Sequence, residues 1–171
     1  MEIRIRQEVK EDYKRVYEIN EMAFGQENES KLIEKIRRGP NFVPELSLVA
    51  EKDNEIVGHI LFSKIKIVGE SEFETLMLAP IAVIPELQKQ GVGGKLIKKG
   101  IEKAKELEFD SIIVVGHKDY YPKFGFQKAS QWGVQCPFEV PDGAFMAIEL
   151  TEKALENKAG VVLFPQEFME D

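Results

Sequence analysis

Cysteine and histidine are nearly missing from this chain: Cys136 stands alone, and His59 and His117 are the only imidazoles. One thiol excludes an internal disulfide framework, and one thiol with two imidazoles makes a poor zinc-binding set. No apolar run reaches the roughly 20 residues that a bilayer-crossing helix needs. The opening stretch, MEIRIRQEVKEDY, lacks the apolar core of a secretion signal. Basic charge is in deficit as well, with 23 Lys and Arg against 30 Asp and Glu and a net charge of −7. Nucleic-acid binding depends on clustered cations that neutralise phosphates, so an acidic chain is a poor starting point for it. Repeats and low-complexity linkers are also absent. The expectation is a cytoplasmic protein, monomeric or homodimeric, with no metal, no membrane partner and no nucleic acid.

What is present is enough for a proper core. The chain has 171 residues, 43% hydrophobic and 31% charged, which predicts one domain over 1–171, with a core at about 3–150 and a tail at 151–171. Alternation in EIRIRQ (2–7) predicts a strand. Apolar residues at Tyr13, Val16, Tyr17, Ile19, Met22 and Ala23 predict a helix over 11–24. NESKLIEKIRR (28–38) predicts a second, capped by Asn28 or Ser30. Two strands within 46–68 flank Asp53-Asn54, a hairpin signal. FETLMLAPIAVI (73–84) reads as a buried strand. A third helix follows over 91–107, then strands at 111–116 and 145–150 with a further helix between them. The order predicts a mixed α/β fold of α+β type.

Pro80 interrupts the most apolar strand. Proline removes a ladder hydrogen bond, and a central strand tolerates it best at a bulge. Backbone groups freed by a bulge need water or an extended ligand.

The stretch PELQKQGVGGKLI (85–97) places Gly91, Gly93 and Gly94 at a helix entrance, where unpaired N–H groups and the positive end of the helix dipole favour phosphate. Tight packing of the helix on a sheet would use the same glycines, so spacing alone leaves both readings open. Neither GxxxxGK[ST] nor GxGxxG is present, which removes a P-loop and a dinucleotide fingerprint.

Gln88, Gly91 and Gly93 do form Gln-x-x-Gly-x-Gly. With LVAEKDNEIVGHILFS, IAVIPELQKQGVGGKLI, YYPKFGF and CPFEVPDGAFMAIEL in order, the chain resembles the GNAT superfamily of acyl-CoA-dependent N-acetyltransferases, in particular its bacterial YhbS-like subfamily. The resemblance spans nearly the whole chain. It implies a mostly antiparallel central sheet splayed between its fourth and fifth strands, with helices on both faces. It implies acetyl-CoA as cosubstrate and a primary amine as acceptor, whether small molecule, peptide or protein lysine. Gln88, Lys89, Gln90, Gly91, Val92, Gly93, Gly94 and Lys95 would hold the cofactor pyrophosphate. Ile81, Ala82 and Val83 would pair with the pantetheine arm as an added strand does, and Phe124 would line the cofactor.

Tyr121 occupies the tyrosine place of the family's Tyr-x-x-x-Gly-Phe motif, beside the cofactor sulfur. A phenol titrates about 1.5 units above a thiol, so full proton transfer to the leaving thiolate is uphill by roughly 2 kcal/mol. Hydrogen-bond donation is the role expected of it. Met77 stands where some family members carry a glutamate base, and GHKDYY is too short for the asparagine that often precedes the tyrosine. The base is therefore open among His59, His117, Glu27, Glu29 and Glu45. Cys136 has no local base to form a thiolate, so the expectation is direct transfer in a ternary complex. The competing reading is a non-catalytic acyl-CoA-binding module or sensor.

Overall fold

Strand β1 (Arg4–Gln7) and a one-turn 3-10 helix lead into α1 (Tyr13–Phe24), which ends at Gly25 in a left-handed conformation, φ 69°. These elements come from a computed structural model, which describes residues 1–169. Helix α2 (Asn28–Arg38) has Glu27 as its N-cap, with no side-chain cap hydrogen bond. Neither residue expected to cap it does so. Ser30 instead donates its hydroxyl to Tyr17 O at 2.7 Å, tying the two helices together. Lys35, Arg37 and Arg38 in the last turn of α2 suit the negative end of its dipole.

The hairpin at Asp53-Asn54 forms as expected. Both residues have positive φ, 52° and 65°, the conformation that short polar side chains tolerate in tight hairpin turns. They join β2 (Phe42–Lys52) to β3 (Glu55–Val68). Strand β4 (Glu72–Val83) contains Pro80, and the Ala79–Pro80 peptide bond is cis. Helix α3 (Val92–Glu106) follows, then β5 (Ser111–Val115), β6 (Gln127–Lys128), β7 (Val134–Gln135), β8 (Phe145–Glu149) and β9 (Gly160–Leu163). The strands hydrogen-bond in the order β1-β2-β3-β4-β5-β8-β6, with β9 on β3 and β7 on β9. The sheet is mixed: β4 pairs with β5 in parallel at Leu76↔Ile112 and Met77↔Ile113.

The chain divides into two compact units, and β3 and β4 each contribute to both. One comprises Met1–Ser63 and Ala79–Lys103. It holds the antiparallel β1-β2-β3 ladder, α1, α2 and α3 as far as Lys103, around Val16, Ile19, Ile33, Ile36, Leu46, Ile60, Phe62 and Leu96, each fully enclosed. The other comprises Lys64–Leu78 and the chain from Ala104 onward. There β5 pairs with β8 and β8 with β6, around Leu76, Ile112, Ile113, Phe126 and Met146.

Two expectations are corrected. The helix predicted after β5 is a single 3-10 turn, Tyr121–Phe124, because Pro122 lies in its first positions and Gly125, at φ 101°, turns the chain out of it. The segment read as a tail is structural: β9 pairs with the end of β3 at Lys66↔Leu163 through Val68↔Val161, and Leu155 and Val162 are buried. Only Val162 of β9 points inward, so the strand had no amphipathic pattern to reveal it.

Gly100 shows how closely α3 lies on β3. A Cβ there would fall 2.2 Å from Phe62 Cε1, on a ring that is itself enclosed. Gly100→Ala is therefore expected to destabilise the protein by about 1–3 kcal/mol, as overpacked cores do. A chemical denaturation midpoint unchanged from the parent would refute this.

Candidate active site

The end of β4 and the start of α3 are held by three short links. Ile84 N–H donates to Val57 O at 2.9 Å, closing the strand. Gln88 Nε2 reaches back to Val83 O at 3.0 Å, and Gln90 Nε2 to Glu86 O at 2.9 Å. Gln88, expected among the cofactor contacts, clamps the carbonyl where β4 gives way to the loop. Lys89 and Gly91 take positive φ, 64° and 90°, which turns the backbone sharply into the helix. The first i→i−4 bond of α3 runs from Lys95 N–H to Gly91 O, 3.2 Å. The N–H groups of Val92, Gly93 and Gly94 therefore stand ahead of the intrahelical ladder with no acceptor in it. They share the helix end that carries the positive dipole. Two of the three carry no side chain, so an anion can approach the backbone there.

The neighbouring strand is shaped to let this corner form. A Cβ on Gly58 of β3 would lie 3.2 Å from both Ala82 O and Leu96 Cδ1. Along the end of β4, Ile81 and Val83 are half-buried and Ala82 is buried. All of Ile81, Ala82, Val83 and residues 88–95 thus belong to the same compact unit.

Tyr121 and Phe124 belong to the other unit. Tyr121 opens the 3-10 turn, with Pro122 setting its geometry. The residue is 8% exposed, and its ring packs edge-on against Tyr120 at 5.2 Å and Phe126 at 5.7 Å between centroids. Phe124 meets Tyr120 in the same edge-on way at 5.2 Å. Burial pushes the Tyr121 phenol up to about 12, with the neighbouring Tyr120 adding to it. The group is a neutral donor throughout the physiological range. Among the described residues, no protein hydrogen bond engages its hydroxyl.

The five candidate bases are scattered. His117 is exposed and accepts the Asp119 N–H on Nδ1 at 3.1 Å. Glu27 accepts the Tyr17 hydroxyl at 2.6 Å, and Glu29 accepts Gln26. Glu45 is half-buried in β2. Met77 is buried in β4 and offers no proton acceptor.

His59 is withdrawn as a base, for it is fully enclosed in a polar network that sequence reading missed. Ser47 Oγ donates its one proton to Glu8 Oε1 at 2.8 Å. The 2.9 Å contact between Ser47 Oγ and His59 Nε2 must then be donated by His59, which fixes the Nε2–H tautomer. Arg37 pairs with Glu8, and Asp12 with Arg6. Glu8, Ser47, His59 and Arg37 are partners separated by 12 to 39 residues, which leaves no local sequence signature. Desolvation, assisted by the Arg37 charge, pulls His59 down to about 3 from its ordinary 6.5. Between those values the unfolded chain takes up a proton that the fold refuses, so this contribution to stability is complete above 6.5 and is lost as pH falls toward 3. His59→Gln, which keeps a donor for Ser47, is expected to reduce the difference in denaturant midpoint between pH 7 and pH 4.5. An identical difference in both proteins would exclude His59 as its source.

Cys136 is half-exposed and unpaired. Among the described residues no cluster of three or more His, Cys, Asp or Glu could hold a metal ion, and no helix is long and apolar enough to cross a membrane.

Residues 6–126 match the profile of the acetyltransferase (GNAT) family. The uncharacterized N-acetyltransferase YjhQ of Escherichia coli K12 is 38% identical over 135 residues, spanning 78% of this chain and 75% of that protein. YhbS of the same organism, likewise named an N-acetyltransferase, is 27% identical over 147 residues, 85% of this chain and 86% of that one. The crystal structure of E. coli YhbS in complex with CoA superposes with a TM-score of 0.91 at 24% identity, covering 98% of this chain and 92% of that one. A GNAT acetyltransferase from Brucella melitensis, solved with acetyl-CoA, gives 0.80 at 27% identity, covering 98% of both chains.

Proposed function

The chain belongs to the acetyltransferase (GNAT) family and is an acyltransferase; from that premise we propose that it transfers acetyl from acetyl-CoA directly to a primary amine, in the cytoplasm. One observation carries the cofactor half of this reading. The N–H groups of Val92, Gly93 and Gly94 at the start of α3, which precede its first intrahelical bond, form a bare electropositive corner, the arrangement that binds a diphosphate without a dedicated side chain. Residues 88–95 hold the pyrophosphate, with Lys89 and Lys95 adding positive charge at its edges. The pantetheine arm runs along Ile81, Ala82 and Val83, and Phe124 flanks the cofactor.

In the transfer step the neutral amine nitrogen attacks the thioester carbonyl carbon, the C–S bond breaks, and the ammonium proton passes to water. A backbone N–H at Ile81 or Val83 stabilises the oxyanion as it forms. The Tyr121 hydroxyl donates to the departing thiolate, a role suited to a phenol held neutral and without a protein partner. A lysine-type acceptor titrates near 10.4 and an α-amine near 7.7–8.0, so weakly basic amines react faster at neutral pH unless a base assists.

The test is free-thiol release from acetyl-CoA with a panel of primary amines, measured against the rate without acceptor, alongside direct titration of CoA binding. Acceptor-dependent release supports transfer. Tight CoA binding with no release for any amine points to the sensor, and no affinity for CoA or its thioesters refutes the cofactor site itself.

A further inference from the structure

Gly116 follows β5, and its place in the chain demands glycine for a reason other than backbone conformation. It is not among the left-handed glycines, so its φ is one that any residue adopts. Its N–H donates to Ala144 O at 2.9 Å, which holds the backbone in place. What excludes a side chain is the ring of Tyr121: a Cβ on Gly116 would lie 2.2 Å from Cε2, 2.9 Å from Cδ2 and 3.2 Å from Cζ. Those atoms form one edge of the ring and include the carbon that bears the hydroxyl. A methyl group at 116 must drive the ring away by more than an ångström to reach ordinary contact distance.

The ring has little freedom to retreat. Tyr120 and the enclosed Phe126 brace it edge-on, and Pro122 immediately follows its backbone. We propose that Gly116 is a positioning residue for acetyl transfer, its missing side chain setting where the Tyr121 hydroxyl meets the leaving sulfur. This rests on the reading of Tyr121 as the thiolate donor. An ångström of misplacement at a reacting group lowers turnover by about 10²-fold, whereas a packing defect alone lowers the amount of folded protein and leaves turnover per folded molecule intact.

The experiment is a double-mutant cycle of Gly116→Ala and Tyr121→Phe, with kcat normalised to the folded fraction and CoA affinity measured separately. The expected result is a fall in kcat of roughly 10- to 100-fold for Gly116→Ala, CoA affinity within about threefold of the parent, and almost no further loss when the substitution is added to Tyr121→Phe. Undiminished kcat in Tyr121→Phe would defeat the donor reading, and the positioning role with it. A damaged Tyr121→Phe beside a fully active Gly116→Ala, or losses that multiply in the double variant, would overturn the positioning role alone. Should Gly116→Ala fail to fold, Tyr120→Leu loosens the same ring from another side. The same kcat loss at unchanged CoA affinity is then expected, and full kcat overturns the proposal.

Discussion

Tyr121→Phe is expected to lower kcat for acetyl transfer by about 10²- to 10³-fold, the loss that follows removal of one donor aimed at developing charge. CoA affinity should remain within about threefold, because the thiolate exists only as the C–S bond breaks and the donor acts late. The ring can stay where it is: Phe keeps the edge-on contacts to Tyr120 and Phe126, so folding stability should hardly change. The pH profile offers a second readout. With the phenol pushed up to about 12, the donor is protonated throughout the usual assay range, and no alkaline limb below pH 10 should belong to it. The alkaline behaviour of the variant should therefore match that of the parent, scaled down. Equal kcat for the two proteins would remove Tyr121 from the chemistry and leave it a packed ring.

The second large effect concerns stability. Arg37→Ala is expected to cost about 3–5 kcal/mol, because it leaves the Glu8 carboxylate buried without its cation. Glu8 is 1% exposed at its side chain and Arg37 10%, so water cannot replace the lost partner. Arg37 also covers the Tyr13 ring at 3.7 Å, which adds lost packing to lost charge. For a chain of this length each kcal/mol shifts the melting temperature by about 2–4 °C, so a fall of roughly 6–20 °C should appear in a thermal scan.

The double variant Glu8→Leu with Arg37→Met should fall much less. It removes both charges together, and Ser47 can then donate to His59 Nε2 if the imidazole shifts its proton to Nδ1. A single Arg37→Ala loss below about 1 kcal/mol, the size of an exposed pair, would show that the ion pair is not buried in solution. Because Glu8 follows β1, Ser47 lies in β2, His59 in β3 and Arg37 in α2, this network ties α2 to the sheet beside the apolar contacts of the enclosed Ile33 and Ile36.

Elements with strong periodicity were legible from residues alone. Helix α2 runs over 28–38 as expected, α3 falls within one residue of 91–107 at each end, and the Asp53-Asn54 turn joins two strands. The glycines at 91–94 marked the start of α3 as well, since residues without side chains crowd its entrance. Capping of α2 was misread because Ser30 found a carbonyl on α1 within reach. The helix after β5 was misread because Pro122 and Gly125 leave room for only one turn. Strand β9 was missed because one inward residue carries no period.

By itself, then, the order of residues determined the long helices and strands, the family pattern, and the glycines that leave side chains off the entrance to α3. These depend on chemistry between residues a few places apart. The tertiary structure alone decided that His59 is a sealed neutral donor rather than a base, that Glu8 and Arg37 are a buried pair, and that Gly116 lies against the edge of Tyr121. Each of those follows from burial or van der Waals contact with side chains brought close by folding, and neither can be read from a residue's neighbours along the chain.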